Sequence, residues 1–386
     1  MTATILVPPI MEIGGGAVRR LGAVLARLGV RRPLLVTDPF MRDSGLADRL
    51  LAPLREAGVE AGLFADTVPD PTTDVVDTGV ALLLGGGHDG MVALGGGSRI
   101  DTAKAMAVLA ANGGGMRDYK VPNPIPRAGV PVIAVPTTAG TGSEVTRFTV
   151  ITDTRTDEKM LIAGPGLVPA AAIIDYELTL TCPPRLTADT GIDALTHAIE
   201  AYVSVKASPF TDAMAIAAMG RIAPWIRIAC ADPADRAARE KMMLGATLAG
   251  MAFSNASVAL VHGMSRPIGA FFHVPHGLSN AMLLPAITAW SLPGALTRYA
   301  DCARAIGAAE PGQDDESAAG ELVGALRRLN EDLRVPTPRQ YGIDPGRWES
   351  LLVTMAEQAL ASGSPANNPR VPTVAEMVAL YRQSWG

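Results

Sequence analysis

Up to about residue 175 the chain alternates short β-branched or Leu-rich runs with stretches of helical period, the arrangement of a sheet covered by helices. Residues 33–38 (Pro-Leu-Leu-Val-Thr-Asp) read as a buried strand ending in a carboxylate, with a helix over 44–57. Residues 91–94 (Met-Val-Ala-Leu) read as the next clear strand. It runs directly into Gly95-Gly96-Gly97-Ser98, and 99–111 has the period of a helix that begins where the glycines end. Asn112-Gly113-Gly114-Gly115 closes that helix, the proline-rich stretch 121–131 is a loop, and 132–135 is another strand. Residues 148–152 and 159–162 pattern as a hairpin. After Pro183-Pro184 the strand-type runs give way to helical ones, over 209–228, 237–254 and 256–269. Thr187 is the expected N-cap of the helix through 193–197. Val274-Pro275 stops any helix, because the residue before a proline avoids the α region, so His276 is expected at the start of a helix over 277–284. Residues 310–317 read as a polar loop, and the helices from 319 onward as structural. The expected division is an α/β domain over 1–180 and an all-helical domain over 181–386.

Length supports that division: 386 residues exceed the roughly 250–300 at which one hydrophobic core stops growing. Aromatics are only 4% against 48% hydrophobic residues, so small Ala and Gly carry the apolar content and close helix packing is implied. A net charge of −5 without a block of like charges argues against a nucleic-acid partner. Three widely spaced cysteines, Cys182, Cys230 and Cys302, fit a reducing compartment better than a disulfide framework and read as packing residues. No charged segment precedes an apolar one at the start, and no apolar run approaches the ~20 residues that span a bilayer. A cytoplasmic protein without membrane partners is expected.

The chemistry concentrates in a few strings. In Gly191-Ile192-Asp193-Ala194-Leu195-Thr196-His197, the carboxylate and the imidazole stand four apart among good helix formers and so share one face. That pair alone fits a helix-start carboxylate with a half-buried histidine as well as it fits a metal. His262 in His262-Gly263-Met264 and His276 in Pro275-His276-Gly277 add two nitrogens. The four make a set that divalent iron or zinc accepts. The chain has five histidines; His273 lies beside these ligands and His88 far off in sequence. Gly95-Gly96-Gly97-Ser98 between strand and helix lets backbone N–H groups approach a pyrophosphate at the positive end of a helix dipole, or is simply a tight turn. Asp101 and Lys104 contact the dinucleotide or are first-turn and surface charges. Pro136-Thr137-Thr138-Ala139-Gly140-Thr141-Gly142-Ser143 concentrates hydroxyls suited to ribose, phosphate and carboxamide, or caps its own backbone. Asp38 ends its strand where a carboxylate accepts the adenosine ribose hydroxyls and repels a 2′-phosphate, which favours NAD over NADP; the alternative is a strand-end carboxylate at a turn.

Gly191-x-Asp193-Ala194-x-x-His197, His262-Gly263-Met264 and Pro275-His276-Gly277, in this order and with Gly95-Gly96-Gly97-Ser98-x-x-Asp101-x-Ala103-Lys104 and the Thr137–Ser143 string before them, resemble the iron-containing (group III) alcohol dehydrogenase family over nearly the whole chain. The resemblance implies a Rossmann-like amino-terminal nucleotide-binding domain and an all-helical metal-binding domain, the dehydroquinate synthase-like architecture, with the active site in the cleft between them. It implies Fe2+, with Zn2+ as the alternative, on Asp193, His197, His262 and His276. NAD is implied on Gly95, Gly96, Gly97, Ser98, Thr137, Thr138, Thr141 and Ser143, with Thr146, Lys159 and Leu178 also lining it. The substrate pair is a small primary alcohol and its aldehyde, and the assembly a homodimer or higher homo-oligomer. His273 is a candidate proton relay or an exposed imidazole. Several relatives carry a second histidine four residues after the third ligand, and this chain has Arg266 instead. Arg266 either meets an anionic group on the substrate, making a reductase of carboxy aldehydes, or pairs with an acidic residue of the protein. A lyase of the dehydroquinate synthase type is the other alternative, and would call for a cluster of basic residues around these motifs.

Overall fold

The computed structural model describes residues 2–386, in which Thr4–Leu180 form one compact unit and Thr181–Gly386 another. The first unit is built on six parallel strands: β1 (Met11–Ile13), β2 (Pro33–Val36), β3 (Gly62–Phe64), β4 (Gly90–Gly95), β5 (Val132–Pro136) and, after the antiparallel hairpin of β6 (Phe148–Asp153) and β7 (Glu158–Ala163), β8 (Ala171–Ile174). Their order is β1-β8-β5-β4-β2-β3. The four central strands are buried along their whole length, which is why they read as continuous apolar runs rather than as alternation. Helices cover both faces. Leu35, Val92, Leu94, Ile133 and Val135 join one core with α1 (Leu21–Leu28) and, after the short α2 (Pro39–Asp43), with α3 (Leu46–Glu56). Their neighbours Leu34, Val36, Met91, Ala93 and Ala134 join the other core with α4 (Thr73–Gly85) and α5 (Gly97–Asn112).

The helix expected over 44–57 is α3, and the short α2 that precedes it was not expected from the pattern. Asp38 N-caps α2, Pro39 takes its first position, and Gly45 at φ 76° turns the chain into α3. β1 and β3 are three residues each and too short to announce themselves in the sequence pattern. From β2 the chain steps outward to β3, and α4 then returns it to the opposite side of β2 as β4. The carboxyl ends of β2 and β4 therefore flank a topological switch point, where open α/β sheets form their ligand crevice.

The second unit is helical, and among the described residues no strand follows Ile174. Its axis is α6 (Pro184–Val203), buried at every residue from Gly191 to Val203. Around it come α7 (Pro209–Ala231), α8 (Arg236–Ala256), α9 (Leu260–Phe272), α10 (His276–Ser291), α11 (Leu296–Ala305), α12 (Asp315–Asp332), α13 (Pro338–Tyr341), α14 (Pro345–Ala361) and α15 (Val374–Gln383).

Four expectations are corrected here. Thr187 does not cap α6: Pro184 starts the helix a turn earlier, a proline at the first position having no N–H to lose, and the Thr187 hydroxyl accepts from Arg239 at 2.8 Å. The helix expected over 256–269 begins at Leu260, because Ser257 at φ 68° ends α8. The polar loop expected over 310–317 is shorter, since Asp314 caps α12. Finally, α7 is long and apolar enough, by length and composition, to cross a bilayer, contrary to the expectation that no segment is. It packs instead against α6 and α8, and its Asp212 and Arg227 form ion pairs with Arg298 and Asp332. The three cysteines are free thiols; burial raises Cys182, pushes Cys230 up to about 11 and carries Cys302 higher still.

Candidate metal centre and nucleotide loops

Asp193 and His197 project from one face of α6, as their spacing requires. α9 brings His262 to them and α10 brings His276 from its first position, directly after Pro275. One ligand atom from each residue lies within 4.8 Å of all the others. Asp193 Oδ1 is 3.4 Å from His262 Nε2, 3.7 Å from His276 Nε2 and 4.0 Å from His197 Nε2. His197 is fixed between Phe253 and His262, stacked on both at 4.1 and 4.4 Å between ring centroids. Three of the four are buried, whereas the His276 side chain is 49% exposed, so the group opens to solvent on the α10 side. Gly277 is what lets α10 approach. A Cβ there would run into the Asp189 carbonyl oxygen and sit 3.2 Å from Asp193 Cβ.

Two residues that the sequence reading left unassigned complete the arrangement. Glu200, three residues after His197 on α6 and buried, accepts the backbone N–H groups of Ala259 at 2.9 Å and Val261 at 2.6 Å, and meets His262 Nδ1 at 2.6 Å. One carboxylate thus caps the start of α9, where Ala259 has no capping side chain, and holds the proton of His262 on Nδ1. Nε2 is then the nitrogen on which a metal ion would replace a proton. Burial alone would lower the His262 pKa, but Glu200 and Asp193 raise it to about 9. Asn280, one turn after His276 and fully buried, donates its amide to Asp193 Oδ1 at 2.7 Å, with His262 Nε2 at 3.1 Å and His276 Nε2 at 3.4 Å. Its Oδ1 is buried without a hydrogen-bond partner. Burial works against ionisation of Asp193, yet the imidazoles of His197, His276 and His262 outweigh it and hold the carboxyl well below the usual range. One carboxylate oxygen and three imidazole nitrogens aimed at one point are a donor set that fits a divalent iron or zinc ion. Both supporting residues had a spacing signal: Glu200 follows Asp193 by seven residues, and Asn280 follows His276 by four.

Arg266 and His273, the candidate catalytic residues, are placed differently. Arg266 lies one turn after His262, but its Nη1 donates to Ser364 at 2.9 Å; burial lowers its pKa and the Glu200 carboxylate opposes that fall. Its partners are a hydroxyl and, at longer range, the carboxylate behind His262. His273 is the exposed last residue of the α9 turn, in the left-handed region at φ 55°.

In the sheet unit, the carboxyl ends of three neighbouring strands carry the nucleotide strings. β4 delivers Gly95 at φ 144°, a value that favours glycine, then Gly96 as N-cap and Gly97 as the first residue of α5. β5, in register with β4 at Gly95 and Pro136, delivers Thr137 to Ser143. The second string lies against the first: a Cβ on Gly97 would come within 2.9 Å of Thr141 Oγ1, and one on Gly96 within 3.3 Å of Thr138 Oγ1. Asp101 and Lys104 are not surface charges. Lys104 is buried and Asp101 half-buried under the second string. Asp101 accepts from Ser143 Oγ at 2.5 Å and Val150 N at 3.0 Å. Lys104 donates to the carbonyls of Ser143, Thr146 and Phe148 at 2.6, 2.9 and 3.0 Å, and burial pushes its pKa down to about 8. The side chains of Ser143 and Thr146 are turned toward this pair. Ser98 Oγ bonds the Pro69 carbonyl, Lys159 pairs with Asp70 at 2.9 Å, and Leu178 packs against the apolar core of the sheet. Asp38 ends β2 with one carboxylate oxygen on Met41 N at 2.7 Å and the other on Arg99.

Two family profiles match the chain: "Iron-containing alcohol dehydrogenase" over residues 8–176 and "Fe-containing alcohol dehydrogenase family, C-terminal" over 187–385. The chain is 38% identical to the NAD-dependent methanol dehydrogenase of Bacillus methanolicus over 98% of both proteins. It is 40% identical to long-chain-alcohol dehydrogenase 1 of Geobacillus thermodenitrificans (strain NG80-2), over 92% of this chain and 91% of that one. Among solved structures, a 1,3-propanediol oxidoreductase superposes with a TM-score of 0.94 at 38% identity, covering all of both chains.

Proposed function

From the premise that this chain belongs to the iron-containing alcohol dehydrogenase family, we propose that it is an NAD-dependent, metal-dependent oxidoreductase interconverting a small primary alcohol and its aldehyde. The convergence of Asp193, His197, His262 and His276 on one point carries the reading. When bound there, divalent iron supplies a Lewis acid that polarises the substrate oxygen, and NAD supplies the hydride acceptor. Asp193 brings the negative charge that retains the ion. Glu200 fixes the His262 tautomer, and Asn280 orients the Asp193 carboxylate. The backbone N–H groups at the start of α5 face the pyrophosphate, while Thr137, Thr138 and Thr141 place the nicotinamide. The exposed His273 passes the alcohol's proton to solvent. The three free thiols support a reducing, cytoplasmic setting, and the family resemblance supports a homodimer.

The relatives' names cover methanol, long-chain alcohols and propanediol, so chain length differs among them while the alcohol function does not. The lyase alternative would call for a cluster of basic residues, which the sequence does not concentrate around these motifs. Chelator-treated protein assayed with NADH and a panel of aldehydes, with added iron, zinc or no metal, tests the proposal by loss of nicotinamide absorbance. Turnover restored by a divalent ion is the expected result. Absence of turnover with every aldehyde and both metals refutes the reading.

A further inference from the structure

The switch-point end of the sheet holds a charge pair that the two nucleotide strings leave unexplained. Asp38 is buried at the end of β2 and both of its oxygens are engaged, one by the Met41 N–H and the other by the Arg99 guanidinium. Arg99 comes from the first turn of α5 and folds back over the glycine turn. A Cβ on Gly95 would meet Arg99 Cγ at 2.8 Å and Cδ at 3.0 Å. Its side chain is 19% exposed, and its Nε is buried with no hydrogen-bond partner. Arg99 therefore reaches from the turn that faces the pyrophosphate to the strand end that faces the adenosine ribose.

This placement changes what Asp38 can do. A strand-end carboxylate selects NAD by accepting the ribose 2′-hydroxyl and repelling a 2′-phosphate, whereas a nearby arginine accommodates that phosphate. Here the two stand together. The guanidinium offsets the carboxylate's charge and, having five N–H donors in a fixed fork, keeps donors beyond those spent on Asp38. A phosphate at the 2′ position would meet a charge-assisted donor rather than a bare carboxylate. We propose that Arg99 makes this enzyme accept NADP as well as NAD, so that Asp38 does not by itself impose NAD specificity. This rests on the reading of Gly95-Gly96-Gly97 as the pyrophosphate turn.

Dissociation constants for NADH and NADPH, read from nucleotide fluorescence, test it in the wild type, Arg99→Leu, Arg99→Lys and Asp38→Asn. Wild type is expected to hold the two within about tenfold of each other, and Arg99→Leu to weaken NADPH by about tenfold while moving NADH less than about threefold. Arg99→Lys keeps the charge and most of the NADPH affinity, and Asp38→Asn strengthens NADPH further, so the inference stays testable if the leucine variant misfolds. A wild type that binds NADH more than about a hundredfold tighter than NADPH, or an unchanged ratio in Arg99→Leu, overturns it. If NADH binds while the ratio does not move, only the role of Arg99 falls. If neither nucleotide binds the wild type, the pyrophosphate turn itself is misread.

Discussion

The metal group and the nucleotide strings solve opposite problems. The metal group is made of side chains: four donors on three helices converge, and each buried donor is fixed by a further contact, Glu200 for His262, Asn280 for Asp193, Phe253 for His197. The nucleotide strings are made of backbone. Their polar side chains largely point inward, with Asp101, Lys104, Ser143 and Thr146 bonded to one another and to carbonyls and the Thr141 hydroxyl accepting from Ser143 N at 3.3 Å, so the glycine backbone is what the proposed nucleotide site presents. The same motif letters that suggest binding by side chain thus converge as candidate ligands in one region and serve largely as scaffold in the other.

Substitutions separate the two. The largest effect is expected from Asp193→Ala, which removes the only anionic donor. Bound metal by elemental analysis should fall below ~0.1 per chain, with turnover lost in parallel. Next comes Glu200→Gln, which keeps the shape but withdraws the charge that fixes His262 Nδ1–H. Metal affinity should drop about 10- to 100-fold, while metal-free folding changes little, as followed by circular dichroism. Asn280→Ala should weaken metal binding by less, since it frees Asp193 without removing a donor. Lys104→Met strands three carbonyls in the sheet unit. It should lower the melting temperature by an amount equivalent to ~2–4 kcal/mol and weaken NADH, leaving metal content unchanged.

This contrast also decides what could be read from the sequence. The four candidate metal ligands were legible because helical period converts four-residue spacing into a shared face, and imidazoles are few. Glu200 stood at the right spacing but is a common helix residue, and only the three-dimensional course of α9 over it shows what it caps. Asp101 and Lys104 left two readings open, since neither burial nor the loop folded above them is written in their neighbours. At the helix starts, Thr187 has the right chemistry for a cap, yet Pro184 wins by fixing its own φ three residues earlier. The sheet's central strands were visible as apolar runs; β1 and β3, three residues each, depend on pairing with β8 and β2 rather than on their own composition.

A smaller effect concerns the hairpin. Asp153 accepts the Arg155 backbone N–H and the Arg117 and Arg155 guanidinium groups, which hold its pKa down to about 2. Because the folded-state pKa lies below the ordinary value of about 3.9, its contribution to stability is full above that value and is lost as pH falls toward 2. Asp153→Asn should therefore melt earlier than wild type at neutral pH, and the gap should close between pH ~4 and ~2.

The central claim is that side chains of the helical unit alone hold the metal, while the sheet unit holds the nucleotide by itself. Cobalt(II) titration of metal-free protein, followed by visible absorption alongside NADH fluorescence, tests it most directly. The account predicts one cobalt per chain with a ligand-field band in the wild type, no band in His262→Ala, and NADH dissociation constants within about twofold in both metal-free proteins. An undiminished cobalt band in His262→Ala would contradict it.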